Sequence, residues 1–348
     1  MIPVVAGAIV LVVPDVSGNE NRRRSETLAG SPVACLDVLG QSILSRMIER
    51  LQHAGIKAIS VVADDVFSDS VLSPLAQPAD AVQFSDNVLG AAEHKLRYYA
   101  GQGVQIVLLM RMGPYLEFDI EDLLEFHRDQ NKRFTRVSDS EGVLDFWVIC
   151  NNTATRVCDA GTIGLDRLAK AGQSSGVASY LAPGYVNRLR DARDLRRLVR
   201  DAFASRCAIR ATGREVKLRV WVDEGARVHR RARIVAPAYV GRGTRVGADT
   251  LITRSSNVEH HCDVSYGTVV EDACILPHTY LGTGLDVSHA VVCGSQLVNL
   301  RLNVCVDIGD ASLLRSMRSA DTAKRMFVIP EPPLSDSRDF NPPYKRQM

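Results

Sequence analysis

From Val222 onward every sixth residue is aliphatic: Val222, Val228, Ile234, Val240, Val246, Ile252, Val258, Val264, Val270 and Leu276. Two positions before these residues stand small side chains, namely Ala226, Ala232, Ala238, Thr244, Thr250, Ser256, Cys262, Thr268 and Cys274. Only Val220, where the run begins, is bulky. One large and one small residue per six is the pattern of a hexapeptide β-helix, in which three short strands complete one triangular coil. The aliphatic side chain fills the interior and the small one fits the corner, where Gly241, Gly243 and Gly247 supply permissive backbone. The repeat predicts a left-handed parallel β-helix over residues 220–312. Beyond Leu276 the phase slips to Ile275, Leu281 and Val287, which predicts a bulge or a final irregular coil. The stack is expected to close through residues 291–306. Residues 313–348, Pro-rich from Pro330, are expected to form an exposed tail.

Residues 1–187 follow another grammar. Apolar runs at 8–13, 57–63, 104–110 and 144–151 read as strands, and 42–54, 91–100 and 119–129 read as helices, the first ended by Gly55. Strand and helix alternate, so a Rossmann-like α/β domain with a parallel sheet covered by helices is expected. Within a linker of 188–219, residues 188–206 place Leu189, Leu195, Leu198, Val199, Ala202 and Phe203 on one face of a basic helix.

With 42 basic and 40 acidic residues, the net charge of +2 gives no global electrostatic reason to seek nucleic acid. The arginines of the linker helix are interleaved with Asp191, Asp194 and Asp201 and lack aromatic partners for stacking, so they read as a solvated helix face. Eight cysteines without a CxxC pair point to a reducing, cytoplasmic compartment. The apolar opening lacks a basic n-region and a small-residue cleavage site, so it reads as a buried strand. No other long apolar run is available to span a membrane.

Several stretches look like the motifs of a known enzyme family. Leu36-Asp37-Val38-Leu39-Gly40-Gln41-Ser42-Ile43-Leu44, with Met47-Ile48-Glu49-Arg50-Leu51 and Gly55-Ile56, is similar to the family's "LPVxGxPLL" segment and the helix after it. Val88-Leu89-Gly90-Ala91-Ala92 resembles the "LGTA" loop over the nucleobase, and Leu123-Leu124-Glu125-Phe126-His127-Arg128 resembles "LLxFHR". Pro183-Gly184-Tyr185 with Asp194-Leu195 is similar to "GYWxDIGTPxDY", and residues 275–282 look like the "ILPxTYVG" coil. Together these stretches resemble sugar-1-phosphate nucleotidyltransferases (NDP-sugar pyrophosphorylases) of the mannose-1-phosphate guanylyltransferase type, and the resemblance implies a reaction in which a sugar phosphate oxygen attacks the α-phosphate of a nucleotide. That reaction needs backbone donors, cations and a carboxylate-bound divalent ion.

The elements for that reaction are altered together. Residues 14–24 lack the paired glycines of the "GxGTRxxPLT" loop. The expected lysine falls near Val33-Ala34, the metal aspartate falls at Met112-Gly113, and the second metal position falls at Asn187 or Arg188. No catalytic residue and no metal ligand is therefore assigned, and a catalytically silent, regulatory or scaffolding member is expected. Leu89, Gly90, Ala91 and Ala92 are the nucleotide-binding candidates, unless they merely begin a helix. Arg22, Arg23 and Arg24 are candidates to grip phosphate, unless they form an exposed basic loop. An active enzyme would instead use Mg2+ on Asp119 or Asp86.

A rival from another class is a hexapeptide acyltransferase, whose histidine base would come from His229, His260, His261, His278 or His289, with His278 nearest the phase slip. Zinc at His260-His261-Cys262 is disfavoured, because adjacent strand residues face opposite ways. Cys150 and Cys158 have no base identifiable beside them and read as buried thiols. The expected partners are a nucleotide or nucleotide-sugar and either a second copy or an active relative, with no nucleic acid and no membrane.

Overall fold

Seven strands make the first sheet of this computed structural model, which describes residues 6–13, 27–28, 31–65, 81–151 and 177–317. They are β1 (Ala6–Val12), β2 (Ala58–Asp64), β3 (Ala81–Ser85), β4 (Ile106–Arg111), β6 (Phe134–Asp139), β7 (Gly142–Cys150) and β8 (Val177–Leu181). The short strands β5 (Tyr115–Glu117) and β9 (Tyr185–Asn187) pair separately. The sheet runs β3-β2-β1-β4-β7-β6-β8, all parallel across β3, β2, β1 and β4, with β7 antiparallel to both its neighbours. Central β1 reads AGAIVLV and is buried on both faces from Gly7 to Val12, which is why it carries no polar alternation.

Helices α1 (Ile43–His53), α2 (Val88–Gly101) and α3 (Ile120–Asp129) start at side chains that accept backbone N–H groups. Ser42 caps the first, Asn87 the second and Asp119 the third. Gly55, at φ +77°, takes the left-handed turn that ends α1, as its position predicts. The linker helix α4 spans Ala192–Phe203, shorter than the expected 188–206, because Asp191 caps it and Leu189 before it already has a φ of +49°.

After α4 the chain builds three sheets of short strands. From Val220 to Glu271 neighbouring strands within each sheet are parallel and pair residues 18 apart, as in Arg227↔Arg245, Arg233↔Leu251 and Tyr239↔Asn257, whereas strands at the ends of the stack pair antiparallel. Two independent features fix the coil. Interior Val240, Ile252, Val258, Val264, Val270, Ile275 and Leu281 are wholly buried in one core, each aliphatic contributing on the order of 2 kcal/mol. At the corners, left-handed residues recur coil after coil, as in Gly225, Gly243, His261 and His278. The small residue after such a corner stitches one coil to the next. Thr244 Oγ1 donates to Glu259 O (2.7 Å), Thr268 Oγ1 to Gly282 O (2.5 Å) and Cys262 Sγ to Leu276 O (3.2 Å).

The phase slip lies earlier than expected. Thr253 still pairs with Glu271, but Asn257 pairs with Cys274 and Val258 with Ile275, so one residue is lost at the Asp272-Ala273 corner. Ala273, not Cys274, is the small corner residue of that coil, since its N–H meets Ser256 Oγ. The expected tail also begins later, because Leu314–Ser316 pairs antiparallel with Thr279–Leu281. Residues 318–348, with the Pro-rich stretch, lie outside the described residues.

The α/β layer and the stack lie within one compact unit that ends at Ser316. The turn Leu39-Gly40 docks on the stack, where the fully buried Glu259 accepts both N–H groups (2.9 Å each) and the Asn257 amide (2.6 Å). Asp37 pairs with His260 beside it. The "LPVxG"-like segment thus forms the domain junction. On the other side, buried Arg196 of α4 donates to Asp272 Oδ1 and to the carbonyls of Ser255 and Arg254.

Candidate functional site

In an open α/β sheet a crevice forms beyond the C-terminal ends of the strands where the order reverses. Here that point lies between β1 and β4. Beyond β4 the chain turns through Met112-Gly113-Pro114, and Met112 N–H donates to Leu11 O (2.8 Å), which fixes the turn against the end of β1. Antiparallel β7 brings Asp145 to the same rim, 3.8 Å from Arg111. Gly113 has no left-handed φ, and a Cβ placed on it would meet nothing within 4 Å. The position where the resemblance expects a metal aspartate is open space with no side chain.

The second expected position is equally unsuited to a metal. Asn187 is buried; its Nδ2 donates to Asp194 O (2.9 Å) and its Oδ1 accepts from Leu189 N (3.0 Å), so both amide atoms are committed. Arg188 grips Asp139 with two donors and lies 3.7 Å from Glu141. Its guanidinium hydrogen bond holds the Asp139 carboxyl below the ordinary carboxylate range. Asp119, the alternative ligand, accepts the N–H groups of Glu121 (2.8 Å) and Asp122 (3.4 Å) as the cap of α3. Asp86 is exposed after β3 at the sheet edge, two strands from β1. Among the described residues no three His, Cys, Asp or Glu side chains converge to hold an ion, and these residues do not fit a carboxylate-held magnesium.

Leu89, Gly90, Ala91 and Ala92 form the first turns of α2, with Ala91 and Ala92 buried. Asn87 Oδ1 accepts the Gly90 N–H (2.9 Å), and a Cβ on Gly90 would sit 2.6 Å from Asn87 Nδ2, so the glycine is needed for the cap. Arg22, Arg23 and Arg24 lie outside the described residues. Val33 and Ala34, at the expected lysine, are buried in a short 3-10 turn. Gly184 of the "GYW"-like stretch is also structural, because a Cβ there would lie 1.5 Å from Glu117 O.

His278 lies within the coil itself. It occupies the corner column after Gly243 and His261, its ring stacked on His261 (centroids 5.3 Å) and edge-on to His260 (5.1 Å). His289 lies at another corner, bound to Asp272. Cys262 is buried with its thiol on carbonyl oxygens. Cys150 is half-buried rather than the expected buried thiol, and a base the sequence could not identify stands beside it, with its Sγ 3.2 Å from His127 Nε2. Burial lowers His127 to about 4 and raises the Cys150 thiol, so thiolate and imidazolium are both disfavoured. His127 Nδ1 is held by Thr135 Oγ1 (2.7 Å), which makes this histidine of the "LLxFHR"-like helix a core residue. Their separation of 23 residues gave no sequence signal for the meeting. Cys158 lies outside the described residues.

No family model matches the sequence, and no curated protein does. Among solved structures, one provisionally assigned as a glucose-1-phosphate thymidylyltransferase of Bacillus anthracis, in complex with a sucrose, matches at 10% identity and a TM-score of 0.40, covering 55% of this chain and 93% of its own. Among the described residues no helix is long and apolar enough to cross a membrane.

Proposed function

We propose that this chain is a nucleotidyltransferase-like protein of nucleotide-sugar or surface-polysaccharide metabolism that binds a nucleotide or nucleotide-sugar without turning it over. In this reading it serves in the cytoplasm as a regulatory or scaffolding subunit, and its β-helix is left-handed. The observation that carries the reading is Gly113, a residue without a side chain at the sheet's switch point, where nucleotidyl transfer calls for a metal-binding carboxylate. Asn187, with both amide atoms engaged, supports the same conclusion. The ligand class comes from the resemblance of residues 36–51, 88–92 and 119–128. An apolar groove along the first coil, lined by Val216, Val220, Val222, Val228 and Ile234, supports association with a second copy or with an active relative.

Hydrogen exchange of the full chain with saturating nucleoside triphosphates and nucleotide-sugars tests the binding. Slowed exchange is expected at residues 111–117 and around the start of α2. Unchanged exchange at both segments with every ligand would overturn the reading.

A further inference from the structure

Arg193, Arg196, Arg197 and Arg200 stand at i, i+3, i+4 and i+7, so one face of α4 carries four guanidiniums. That face is not simply solvated. It lines a cavity of about 640 Å³ closed on the other side by the stack, with Arg206 and Arg301 completing six guanidiniums against only two carboxylates, Asp201 and Asp272. Both carboxylates are already engaged. Asp201 accepts from Tyr185 Oη (2.8 Å) and Arg206 (3.1 Å), while Asp272 accepts from Arg196 (2.6 Å) and faces His289. Arg197 is paired with Asp194 (2.9 Å), so Arg193 and Arg200 are the guanidiniums of this face that have no carboxylate partner among the described residues, and like charges at helical spacing repel.

The six arginines divide by role. Arg196 is buried and bolts α4 to the stack, and Arg193 leans on Leu300 O (3.2 Å). The Arg200 side chain is exposed and makes no hydrogen bond or ion pair among the described residues, and its charge acts on Asp272. Arg301 is aimed by a relay. Its guanidinium can only donate, so His289 Nε2 accepts from it (2.5 Å) and His289 Nδ1 carries the proton given to Asp272 Oδ2 (2.6 Å). His289 thereby fixes an arginine from the stack opposite the Arg200 guanidinium of α4.

We propose that this cavity binds a small phosphorylated anion, held by the guanidinium forks of Arg200 and Arg301 with Arg193, Arg197 and Arg206 around it. Guanidinium forks match phosphate oxygens in pairs, and a cavity of this volume suits a small molecule rather than a polymer. The buried face of α4 packs Leu195, Leu198 and Val199 into the α/β core, so such a ligand would touch the element that joins the two layers. None of the residues lining the cavity belongs to the turn beyond β4.

Calorimetric titration of the full chain with inorganic phosphate, inorganic pyrophosphate and ADP tests this, comparing wild type, R200A/R301A and a control R227A/R245A with exposed arginines on another face. Circular dichroism melting checks that each variant is folded. Saturable binding is expected, weakened about tenfold or more in R200A/R301A and unchanged in the control. Tighter binding of ADP than of pyrophosphate would identify an organic phosphate as the ligand, and the reverse an inorganic one. Equal affinity in wild type and R200A/R301A, equal loss in both variants, or no saturable binding of any of the three anions would overturn the proposal.

Discussion

Glu259 concentrates the chemistry of the domain junction in one side chain. Burial, and then the charge of Asp37, push its carboxyl up to about 7, against the two N–H groups and the amide that favour its charge. At His260 burial opposes the charged ring, but the hydrogen bond and charge of Asp37 outweigh it and raise the group above its ordinary value. Both groups bind a proton more tightly folded than unfolded. Each contribution is therefore present at acid pH and lost as pH rises, for Glu259 from about 4.5 through about 7 and for His260 above about 6.5. The thermal midpoint of E259Q is expected to fall less than that of wild type between pH 5 and pH 8, and parallel curves would contradict this. Gly40 has a φ of +93°, and a Cβ on it would lie 1.9 Å from Thr212 Oγ1, so G40A is expected to cost about 3 kcal/mol in denaturant unfolding. The glycine was visible in the "LPVxG"-like segment. Its partner Glu259 was not, since 219 residues separate Gly40 from it and no local pattern encodes the contact.

At the scale of elements, the β-helix was legible because its repeat is short and physical, an aliphatic inside and a small residue at each corner. The corner hydroxyls add what the periodicity alone does not convey. Thr268 Oγ1 donates to Gly282 O and accepts from Leu285 N, bridging two coils from a fully buried position. T268V is expected to lose about 1 kcal/mol, and no loss in chemical denaturation would remove hydroxyl stitching from the account. Helix α4 was legible as amphipathic but not in what its basic face does. Asp191, Asp194 and Asp201 balance the arginines along the sequence, yet only Asp201 among them reaches the cavity, and Arg196 is buried on Asp272, 76 residues away. R196A leaves that carboxylate and two carbonyls without their donor and is expected to cost about 3 kcal/mol, measured by the same unfolding.

For the whole molecule, two layers that each fold by a simple rule meet along Glu259 and Arg196, and the switch point of the α/β sheet lies between β1 and β4. The alternation of strand and helix made that sheet legible, but β3, β6 and β8 have less apolar, partly exposed sequences and were not read as strands. The site was legible mainly as a set of departures from a family pattern, whereas the committed amide of Asn187 and the cap duty of Asp119 depend on tertiary contacts. Because Gly113 faces open space, G113D is expected to fold with a stability change within about 0.5 kcal/mol, and a larger loss would mean that the turn has no room for a carboxylate. The central claim is that the cleft does not carry out nucleotidyl transfer. It is tested most directly by magnesium-dependent pyrophosphate release from a panel of nucleoside triphosphates and sugar-1-phosphates, with an active nucleotidyltransferase as control. The account predicts release by the control and none above background by this protein; sugar-dependent release by the wild-type chain would contradict it.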